Sequence, residues 1–465
     1  MIEKIPFSVD GIRGLADNFP LNMKGCILLG KALGNYLKES NANPFVMIAR
    51  DTRPSSPQLY NYVKYGLISK GIQVQDLDIA TTPALAYLVK NSSASLGIMI
   101  TASHNPAKFN GIKIVDSDGK RLSDEANIEK HFRLLDNNDD GYTDDLNIRH
   151  NANSNLIDKY TSDQIEQANM ISLNGLRLLV DCANGATSHI IPNALRRLGA
   201  SIQVINRFDG KNQINLKSGT EHVRSHLSEF TTMIQQNNAD YGISFDGDGD
   251  RLIIVDQRGN FYNGDDFLFI LGVLFSRSGN LHKSTLVTTH MANSGLTYSL
   301  ESFGINLVRT RNGDKYLEQQ IAQHNYRLGG EQFGNIMIHD EYHIAADPFY
   351  ALLYLLKEMK FSELSVQVQS LYKFPQVLAT GRTGKKNSAN PLDEQVEIIT
   401  SRLGNGSRVR VWNSSTQPEL LNIMVEGTRD CPYEFVLRET RKLCEMAFSQ
   451  SDSELIIIPL SKSTY

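Results

Sequence analysis

Short runs of apolar, often β-branched residues alternate along the chain with longer stretches in which apolar residues recur every three or four positions. In the first third, residues 44–51 (PFVMIARD) predict a buried strand, residues 57–71 (PQLYNYVKYGLISKG) an amphipathic helix, and residues 72–80 (IQVQDLDIA) the next strand. A helix through ALAYLVKN and a strand in SLGIMITASHNP continue the alternation. Because this alternation is typical of βα units with largely parallel strands, we predict an α/β fold.

The same alternation recurs twice more and then changes near Phe361. A second unit begins at LRLLVDCANGA, and a third runs from the helix DDFLFILGVLFSRS to the loop RLGGEQFGN. Later strands at SRVRVWN and LLNIMVEG and a helix near CPYEFVLRETRKLCEMAFS indicate a separate α+β module, while the acidic, Asn-rich residues 136–153 predict a linker or surface loop. We predict three related mixed α/β domains, at residues 1–153, 154–255 and 256–365, and a C-terminal α+β domain at residues 366–465.

Length and composition narrow the number of domains and exclude one class of partner, nucleic acids. The length of 465 residues predicts about three domains, with two or four both acceptable, and the pattern favours four. Hydrophobic residues make up 41% and charged residues 21%, which is typical of a globular protein. The 47 basic and 51 acidic side chains leave a formal charge of −4 and no basic stripe, so we expect no nucleic-acid partner.

Membrane attachment and a disulfide framework are not predicted either. No stretch approaches the roughly 20 apolar residues that a membrane helix needs. The N-terminal MIEKIPFSVDGIRG carries two acidic residues and no apolar core, unlike a secretory signal or transit peptide. The four cysteines, Cys26, Cys182, Cys431 and Cys444, lie far apart without C-x-x-C spacing. We therefore expect a cytoplasmic protein without a membrane partner.

The first candidate for chemistry is TASHNP at residues 101–106, directly after a predicted strand. Open α/β sheets bind ligands at the carboxyl ends of their strands, where Ser103 would lie. His104 beside it and Lys113 downstream suggest that the Ser103 hydroxyl accepts or carries a phosphoryl group. The alternative is an ordinary Ser/Asn/Pro turn with local hydrogen bonds, which the motif alone does not exclude.

The second candidate is DGDGDR at residues 246–251, between two apolar runs. Asp246, Asp248 and Asp250 alternate with glycines, which let the backbone fold around a small ion. Oxygen ligands in this number suit Mg²⁺, and the spacing lacks the last ligand of an EF-hand calcium loop. A solvated acidic turn is the alternative, but three adjacent carboxylates repel one another unless a cation neutralises them. Arg251 would then lie close to a phosphoryl group near the metal.

Two weaker candidates are polar loops. GGEQFGN at residues 329–335 places a carboxylate and two amides between glycines and could hydrogen-bond several sugar hydroxyls, although it could equally be a Gly-rich surface turn. WNSSTQP at residues 412–418 could form an anion-binding nest, or a Ser-rich loop between strands. A phosphate-carrying serine, a Mg²⁺ loop, a polyol loop and a phosphate nest together suit phosphoryl transfer on a phosphorylated sugar, so the expected partner is a small sugar phosphate.

At these motifs the chain resembles the α-D-phosphohexomutase superfamily, and within it the bacterial phosphoglucosamine mutases. FSVDGIRG at residues 7–14 is similar to the opening motif of the family, TASHNP to its phosphoserine loop and DGDGDR to its metal loop. DCANGATSHIIPNALRRLGA at 181–200 and RNGDKYL at 311–317 are similar to segments of the phosphoglucosamine branch. The resemblance covers nearly the whole chain. It implies four domains around a central cleft, three of them mixed α/β and the last α+β.

The resemblance also implies an activity and a role for each site residue. It implies interconversion of glucosamine 6-phosphate and glucosamine 1-phosphate, through a phosphoserine at Ser103, one Mg²⁺ per chain and a sugar bisphosphate that also serves as activator. By position, the metal ligands would be Ser103, Asp246, Asp248 and Asp250, and the catalytic residues Ser103, His104, Arg13 and Lys113. The substrate-binding residues would be Arg251, Glu331, Gln332, Asn335, Ser414, Ser415 and Thr416. A homodimer is compatible with the sequence, which is otherwise silent on oligomeric state.

The departures from the family pattern fall on the loops that would read the substrate. Where the family has Gly-Glu-x-Ser-Gly-His, this chain has Phe333 for the serine and Asn335 for the histidine. Where the family has an arginine before the last phosphate loop, this chain has Trp412, and Arg408 or Arg410 are the nearby cations that could compensate. Losing one such contact would cost about 1.5–3 kcal/mol. Two alternatives therefore stay open: a catalytically altered or inactive paralogue that binds a sugar phosphate, and a mutase for glucose or mannose phosphate.

Overall fold

The computed structural model describes most of the chain and divides into two compact units. The described residues are 5, 7–8, 11–40, 43–135, 154–168, 171–211, 213–382, 392–414, 419–448 and 455–461. The first unit comprises Met1–His290 and Val308–Glu363, and the second comprises Met291–Leu307 and Leu364–Tyr465. The linker predicted at residues 136–153 lies outside the described residues. The four domain boundaries proposed from the sequence stay predictions.

The first sheet of unit one has six strands. They are β1 (Phe7–Ser8), β2 (Gly11–Leu15), β3 (Phe45–Arg50), β4 (Gln73–Ile79), β5 (Leu96–Ile100) and β6 (Phe109–Asp116), and the accompanying helices are α1 (Met23–Ser40), α2 (Ser56–Ser69), α3 (Thr82–Lys90) and α4 (Glu125–Arg133). The strand order is β1-β2-β6-β5-β3-β4. β3 pairs in parallel with β4 and β5, whereas β6 runs antiparallel to β5 and β2. The parallel pairs explain why β3 and β5 are continuous apolar runs, since strands covered on both faces contact little water.

The second sheet of unit one repeats this pattern with five strands. They are β7 (Arg177–Asp181), β8 (Ser201–Ile205), β9 (Tyr241–Phe245), β10 (Leu252–Asp256) and β11 (Phe261–Tyr262), with helices α5 (Ser154–Gln167), α6 (Thr187–Arg197), α7 (Gly219–Ser225) and α8 (Leu227–Gln236). The order is β11-β10-β9-β7-β8. β7 is parallel to β8 and β9, and β9 turns back into the antiparallel β10. The acidic motif therefore occupies the loop between two buried strands, as the sequence predicts.

A third, smaller sheet carries the Gly-rich loop. Its strands are β12 (Thr285–Thr289), β13 (Asn306–Thr310), β14 (Leu328–Gly330) and β15 (Ile336–Ile338), in the order β13-β12-β14-β15, and its helices are α9 (Gly264–Arg277), α11 (Asp314–His324) and α12 (Pro348–Glu358). β14 is parallel to β12 and antiparallel to β15. Asn263 and Asp266 form a capping box that begins α9. The loop at 331–335 thus closes a tight hairpin at the end of β14.

Unit two is built on an antiparallel sheet. Its strands are β16 (Gln376–Arg382), β17 (Arg408–Asn413), β18 (Leu420–Glu426) and β19 (Ile456–Ser461), in the order β17-β18-β16-β19, and its helices are α10 (Ser294–Glu301), α13 (Leu364–Gln367), α14 (Asp393–Leu403) and α15 (Tyr433–Ala447). Apolar side chains of α14, α15 and alternate strand positions form its core. The predicted class, three mixed α/β sheets followed by an α+β module, is confirmed. Among the helices described, none is long and apolar enough to cross a membrane.

Candidate active site

Ser103 lies in the loop after β5, with its backbone in the left-handed region at φ 51°. The buried guanidinium of Arg53, just after β3, holds this loop in place. It donates to the carbonyl oxygens of Ser103 and Asn105 at 2.8 Å each, and to two further carbonyls between residues 106 and 109 at 2.7 and 2.8 Å. Asp51 accepts from Arg53 Nε at 2.8 Å and so neutralises the buried cation. The serine is therefore fixed by four charge-assisted hydrogen bonds to its loop.

The acidic loop between β9 and β10 meets the serine directly. Ser103 Oγ donates to Asp246 Oδ2 at 2.7 Å and makes a longer contact of 3.4 Å with Asp250 Oδ1. Asp246, Asp248 and Asp250 are all buried, and each offers an oxygen within 4.8 Å of the others. A Cβ on Gly247 would lie 2.8 Å from the carbonyl oxygen of Ser103, so the close approach of the two loops requires glycine there.

Lys113, on β6, supplies the positive charge that the aspartates need. Its fully buried Nζ donates to Asp248 Oδ2 and Asp250 Oδ2 at 2.7 Å each. Thr82 Oγ1 also donates to Asp248 Oδ2, at 2.6 Å. Burial favours neutral groups, but the Lys113 ammonium and the Thr82 hydroxyl outweigh it and lower the pKa of Asp248, while Asp248 and Asp250 raise the pKa of Lys113. This lysine is thus a fixed cation.

The three carboxylates also fit a divalent metal ion. Asp248 Oδ1 is buried and accepts no hydrogen bond from the residues that the structure describes. Burial, then the charges of Asp250 and Asp248, raise the pKa of Asp246 well above its usual value. Both features indicate more negative charge than Lys113 alone compensates, and carboxylate oxygens are the ligands that Mg²⁺ prefers. Asp246, Asp248 and Asp250, with an oxygen carried on Ser103, would hold such an ion.

His104 and Arg13 complete the surroundings of the serine. His104 Nδ1 lies 3.5 Å from Ser103 Oγ. Burial, followed by the cations Arg251 and Arg13, lowers the pKa of His104 well below its usual value, so the imidazole is neutral near pH 7. Arg13, on β2, reaches the carbonyl oxygen of Ala102 at 3.5 Å with Nη1, and its buried Nε has no hydrogen-bond partner among the described residues.

Arg251 links the acidic loop to helix α7. Its backbone N–H donates to Asp246 Oδ1 at 3.1 Å, and its Nη1 donates to Glu221 Oε1 at 2.9 Å. Burial lowers the pKa of Arg251, but Glu221, Asp246 and Asp250 outweigh it and raise the pKa overall. The side chain is therefore a permanent cation at one end of the carboxylate cluster.

The Gly-rich loop positions its polar side chains by contacts within the third sheet. Glu331 Oε1 accepts from the backbone N–H of Gly313 at 3.0 Å, and Gln332 Nε2 donates to Asp265 Oδ2 at 2.9 Å. The buried Oδ1 of Asn335 accepts no hydrogen bond from the described part of the chain. Gly334, at φ 104°, lies so close to Leu252 that a Cβ would come 2.3 Å from its carbonyl oxygen. The loop is held beside β10.

Phe333 at the tip of this loop is close to two guanidinium groups. The Cζ atom of Arg224 is 4.6 Å and that of Arg251 is 5.7 Å from the ring centroid. Arg224, at the end of α7, also lies 3.8 Å from Glu221 through its Nε. The residue that departs from the family pattern at position 333 therefore contacts both Arg251, which follows the acidic loop, and Arg224.

In the C-terminal loop, Ser414 is described and Ser415 and Thr416 lie outside the described residues. The backbone N–H of Ser414 donates to the carbonyl oxygen of Leu420 at 2.8 Å, which closes the hairpin between β17 and β18. Arg408, one of the two cations considered as a replacement for the arginine missing at Trp412, is bound by Glu426 through two bonds of 2.7 and 2.8 Å. Of the two, Arg410 is the one that extends towards solvent.

The structure thus brings together Ser103, His104, Lys113, Arg13, the three aspartates and Arg251, and connects the loop of Glu331, Gln332 and Asn335 to them through Phe333. Sequence reasoning missed Arg53, Glu221 and Arg224. A signal for Arg53 was present, because DTR follows a buried strand end just as TASHNP does. Nothing local marks Glu221 or Arg224, which lie in a short helix without a motif.

Three family profiles match the chain. They are described as Phosphoglucomutase/phosphomannomutase, alpha/beta/alpha domain I at residues 4–139, domain II at residues 157–259 and domain III at residues 263–376. Together they span well over half of the sequence. Each profile includes one of the loops described above: the serine loop, the acidic loop and the Gly-rich loop, in that order.

Curated relatives match almost end to end. A phosphoglucosamine mutase of Limosilactobacillus reuteri is 37% identical over 444 residues, which cover 93% of this chain and 96% of the relative. A phosphoglucosamine mutase of Caldicellulosiruptor saccharolyticus is 34% identical and covers 96% of this chain and 99% of its own.

Solved structures share the fold. A phosphoglucomutase/phosphomannomutase family protein of Burkholderia thailandensis aligns with a TM-score of 0.74 at 20% identity, over 96% of this chain and 98% of that one. An Aspergillus fumigatus N-acetylphosphoglucosamine mutase, solved in complex with GlcNAc-6P and magnesium, aligns with a TM-score of 0.59 at 16% identity, over 95% of each chain.

Proposed function

Because this chain belongs to the α-D-phosphohexomutase superfamily, we propose that it interconverts glucosamine 6-phosphate and glucosamine 1-phosphate through a phosphoserine at Ser103. It is an enzyme of the isomerase class, an intramolecular phosphotransferase, as the motifs predicted. The choice of amino sugar is supported by relatives named phosphoglucosamine mutase that match over nine-tenths of the chain. The observation that carries the chemistry is the convergence of Ser103 Oγ, three buried carboxylates and the Lys113 ammonium within hydrogen-bond distance.

In the proposed cycle, the phosphoryl group moves from Ser103 to the sugar and a second one returns. The bond between phosphorus and Ser103 Oγ breaks as a bond forms to a hydroxyl oxygen of the sugar monophosphate, giving a sugar bisphosphate. The hydroxyl proton passes through a neighbouring base to the departing Ser103 Oγ, and the neutral imidazole of His104, 3.5 Å from Ser103 Oγ, is placed to relay it. The bisphosphate turns over, and its other phosphoryl group is transferred to Ser103 Oγ, whose proton passes to the departing sugar oxygen. Added sugar bisphosphate would serve as activator.

The fixed cations support this transfer. Lys113 holds Asp248 and Asp250 in place. Arg13, which contacts the serine loop, and Arg251, which follows the acidic loop, would contact the oxygens of the moving phosphoryl group. When bound by Asp246, Asp248 and Asp250, Mg²⁺ would neutralise charge on that group. No group has to reorganise during the step, because the charged side chains are already fixed by hydrogen bonds.

Substrate recognition is assigned to the Gly-rich loop and to the C-terminal loop. Glu331, Gln332 and Asn335 would contact the sugar hydroxyls, and Ser414, Ser415 and Thr416 would contact the second phosphate. The proposed partner is therefore a small sugar phosphate, in keeping with the GlcNAc-6P bound in the Aspergillus fumigatus relative. The cytoplasmic location and the homodimer stay predictions.

The proposal is tested by labelling Ser103. Purified protein with Mg²⁺ and ³²P-labelled glucose 1,6-bisphosphate should acquire label on Ser103, located by peptide mapping, and should then convert glucosamine 6-phosphate. Ser103→Ala should abolish both label and turnover, whereas Ser228→Ala, at an exposed helical position, should leave both unchanged. An unlabelled Ser103 under every priming condition would contradict the proposal.

A second candidate function rests on the ring of Phe333, which stands where the family pattern has a serine and contacts Arg251. This substitution favours a protein that binds a sugar phosphate but transfers phosphoryl groups slowly, or a mutase with another hexose. Comparing turnover of glucosamine, glucose and mannose phosphates separates the three functions. Robust turnover that disappears in Ser103→Ala excludes the binding protein, and a preference for glucose or mannose phosphate excludes the amino sugar.

A further inference from the structure

Arg224 carries a buried guanidinium whose nitrogen atoms all lack a hydrogen-bond acceptor among the described residues. Its side chain is 1% exposed, and its Nε, Nη1 and Nη2 atoms have no hydrogen-bond partner among the residues that the structure describes. A guanidinium has five N–H donors, and a buried one is normally bonded to carboxylates or carbonyls. Arg53, in the same unit, shows the usual case, since its donors are satisfied by a carboxylate and four carbonyls.

The surroundings of Arg224 orient the guanidinium without satisfying it. Phe333 lies 4.6 Å and Phe261 5.7 Å from its Cζ atom, so aromatic rings supply much of its packing. The nearest carboxylate, that of Glu221, is 3.8 Å from Nε and already accepts a bond of 2.9 Å from Arg251. Two guanidinium groups thus share one carboxylate and lie close to the same aromatic ring.

An arrangement of this kind is unfavourable in the absence of a ligand. Each buried donor without an acceptor carries the desolvation cost of its burial, and stacking on an aromatic ring offsets only part of it. Burial lowers the pKa of Arg224, although Glu221 opposes that shift. The buried Nε of Arg251 is also without an acceptor in the described part of the chain. Arg224 and Arg251 therefore both lie beside the ring of Phe333, and both have N–H donors without an acceptor among the described residues.

We propose that Arg224 is a further phosphate-binding residue, which together with Arg251 binds the phosphoryl group that the sugar presents to Ser103. This inference rests on the proposed function. A phosphoryl group supplies several oxygen acceptors, and the planar fork of a guanidinium matches two of them at once. Phe333 holds the fork in the binding orientation, which gives a reason for an aromatic ring at that position.

The location of Arg251 selects this phosphoryl group rather than another anion. The backbone N–H of Arg251 donates to Asp246, and Asp246 accepts from Ser103 Oγ at 2.7 Å. Arg224 and Arg251 pack against the same Phe333 ring, on the loop that carries Glu331 and Asn335. A phosphoryl group between the serine and the Gly-rich loop is therefore the anion nearest to both arginines.

The test uses the opposite effects that a ligand-binding arginine has on stability and on affinity. Arg224→Met in the full chain removes the open donors but keeps apolar packing against Phe333, so the ligand-free protein should unfold at the same or a higher temperature. The same substitution should weaken binding of glucose 1,6-bisphosphate, which carries a phosphoryl group at the serine end of the site, about 10- to 150-fold in isothermal titration calorimetry, the loss of one charge-assisted phosphate contact. Arg224→Lys keeps the charge without the fork and should bind with intermediate affinity. Arg258→Met, at an exposed turn, should match the wild type.

The outcomes separate this inference from the proposed function. The titrations are made in the Ser103→Ala background, so they report binding without phosphoryl transfer. Glucosamine 6-phosphate, whose single phosphate is assigned to the C-terminal loop, checks that the difference depends on the phosphoryl group next to residue 103. An Arg224→Met variant with unchanged affinity and a lower unfolding temperature would show a purely structural arginine and overturn the inference. An absence of label on Ser103 would instead overturn the proposed function, while the titrations would still decide the role of Arg224.

Discussion

The acidic loop and the Gly-rich loop are both short turns, but the buried charges beside them are compensated to different degrees. Each is a short glycine-containing turn between two antiparallel strands, β9 and β10 in one case and β14 and β15 in the other. In the acidic loop, Asp248 and Asp250 face Lys113 at 2.7 Å, so opposite charges are in direct contact. Beside the Gly-rich loop, Arg224 and Arg251 face the ring of Phe333 with donors that no described residue accepts.

This difference separates the two tasks of the site. The group proposed to transfer phosphoryl is fixed before the substrate arrives, which would favour catalysis because no charge has to reorganise in the step. The group proposed to recognise the phosphate is incomplete until the substrate supplies acceptors, so binding gains the hydrogen bonds that the free protein lacks. Stability should therefore depend mainly on the acidic loop, and affinity mainly on the two arginines.

The largest expected effect comes from removing the cation of the acidic loop. Lys113→Met leaves three buried carboxylates without their neutralising charge, and removing one partner of a buried ion pair costs about 3–5 kcal/mol. We expect a marked drop in the thermal unfolding midpoint of the metal-free protein, measured by differential scanning calorimetry. Added Mg²⁺ should recover part of the loss, because it would take over the neutralisation of Asp248 and Asp250.

Lys64→Met is the matched control for this variant. Lys64 is a buried lysine of the same unit that contacts Asp76 at 3.3 Å, a longer contact than either of those that Lys113 makes with its aspartates. Its removal should lower the midpoint less, and Mg²⁺ should not restore it. Equal losses in the two variants would mean that the carboxylates of the acidic loop are not held by Lys113.

A smaller effect is expected from the metal itself. A ligand that binds only the folded protein stabilises it by about 2.7 kcal/mol at a hundredfold excess over its Kd. Mg²⁺ should therefore raise the unfolding midpoint of protein first treated with EDTA. Asp248→Asn should remove this response, whereas Asp158→Asn, at an exposed helical position, should keep it. A response that survives in Asp248→Asn would place the ion elsewhere.

The fold and the catalytic half of the site could be predicted from the sequence because their signals are local. Continuous apolar runs such as residues 45–50 and 96–100 predict buried parallel strands, and three aspartates spaced by glycines in one loop need no tertiary information to indicate a cation. The serine followed a strand end, where ligands bind in open sheets. Residue type and spacing were sufficient in each case.

The recognition half could not be predicted, because its meaning depends on contacts between distant segments. From the sequence, Phe333 differs from the serine of the family pattern by the loss of a hydroxyl and by greater bulk. Only the fold shows that its ring stacks on Arg224, more than a hundred positions earlier in the sequence. Arg53 was missed for the same reason, since its four carbonyl partners come from the serine loop. The DTR that contains Arg53 follows a strand end, but this local signal does not indicate which carbonyls Arg53 contacts, and Arg224 has no motif beside it.

The last expected effect appears only as pH rises. It tests whether a buried carboxylate outside the two loops also lowers the stability of the protein when its charge is not fully compensated. Glu318, on α11, is buried, and one of its oxygens accepts the backbone N–H of Arg121 at 2.6 Å. Burial raises the pKa of Glu318 to about 8, with Asp314 and Asp116 adding to the shift and Arg121 opposing it. The folded protein therefore binds the proton more tightly than the unfolded chain does.

Glu318→Gln should consequently remove a pH dependence rather than lower stability at every pH. For a raised carboxyl pKa, the contribution to stability is full below the unfolded value of 4.5 and is lost as pH rises through about 8. Glutamine resembles the protonated form at every pH and can still accept from Arg121. The variant should match the wild type below about pH 4 and become progressively more stable than the wild type as pH rises from 4.5 to about 8. Thermal unfolding midpoints measured across this pH range give the difference, with Glu166→Gln, at an exposed position, as control. If the midpoints of Glu318→Gln and of the wild type change with pH in the same way, the charged carboxylate of Glu318 is fully compensated and the prediction is wrong.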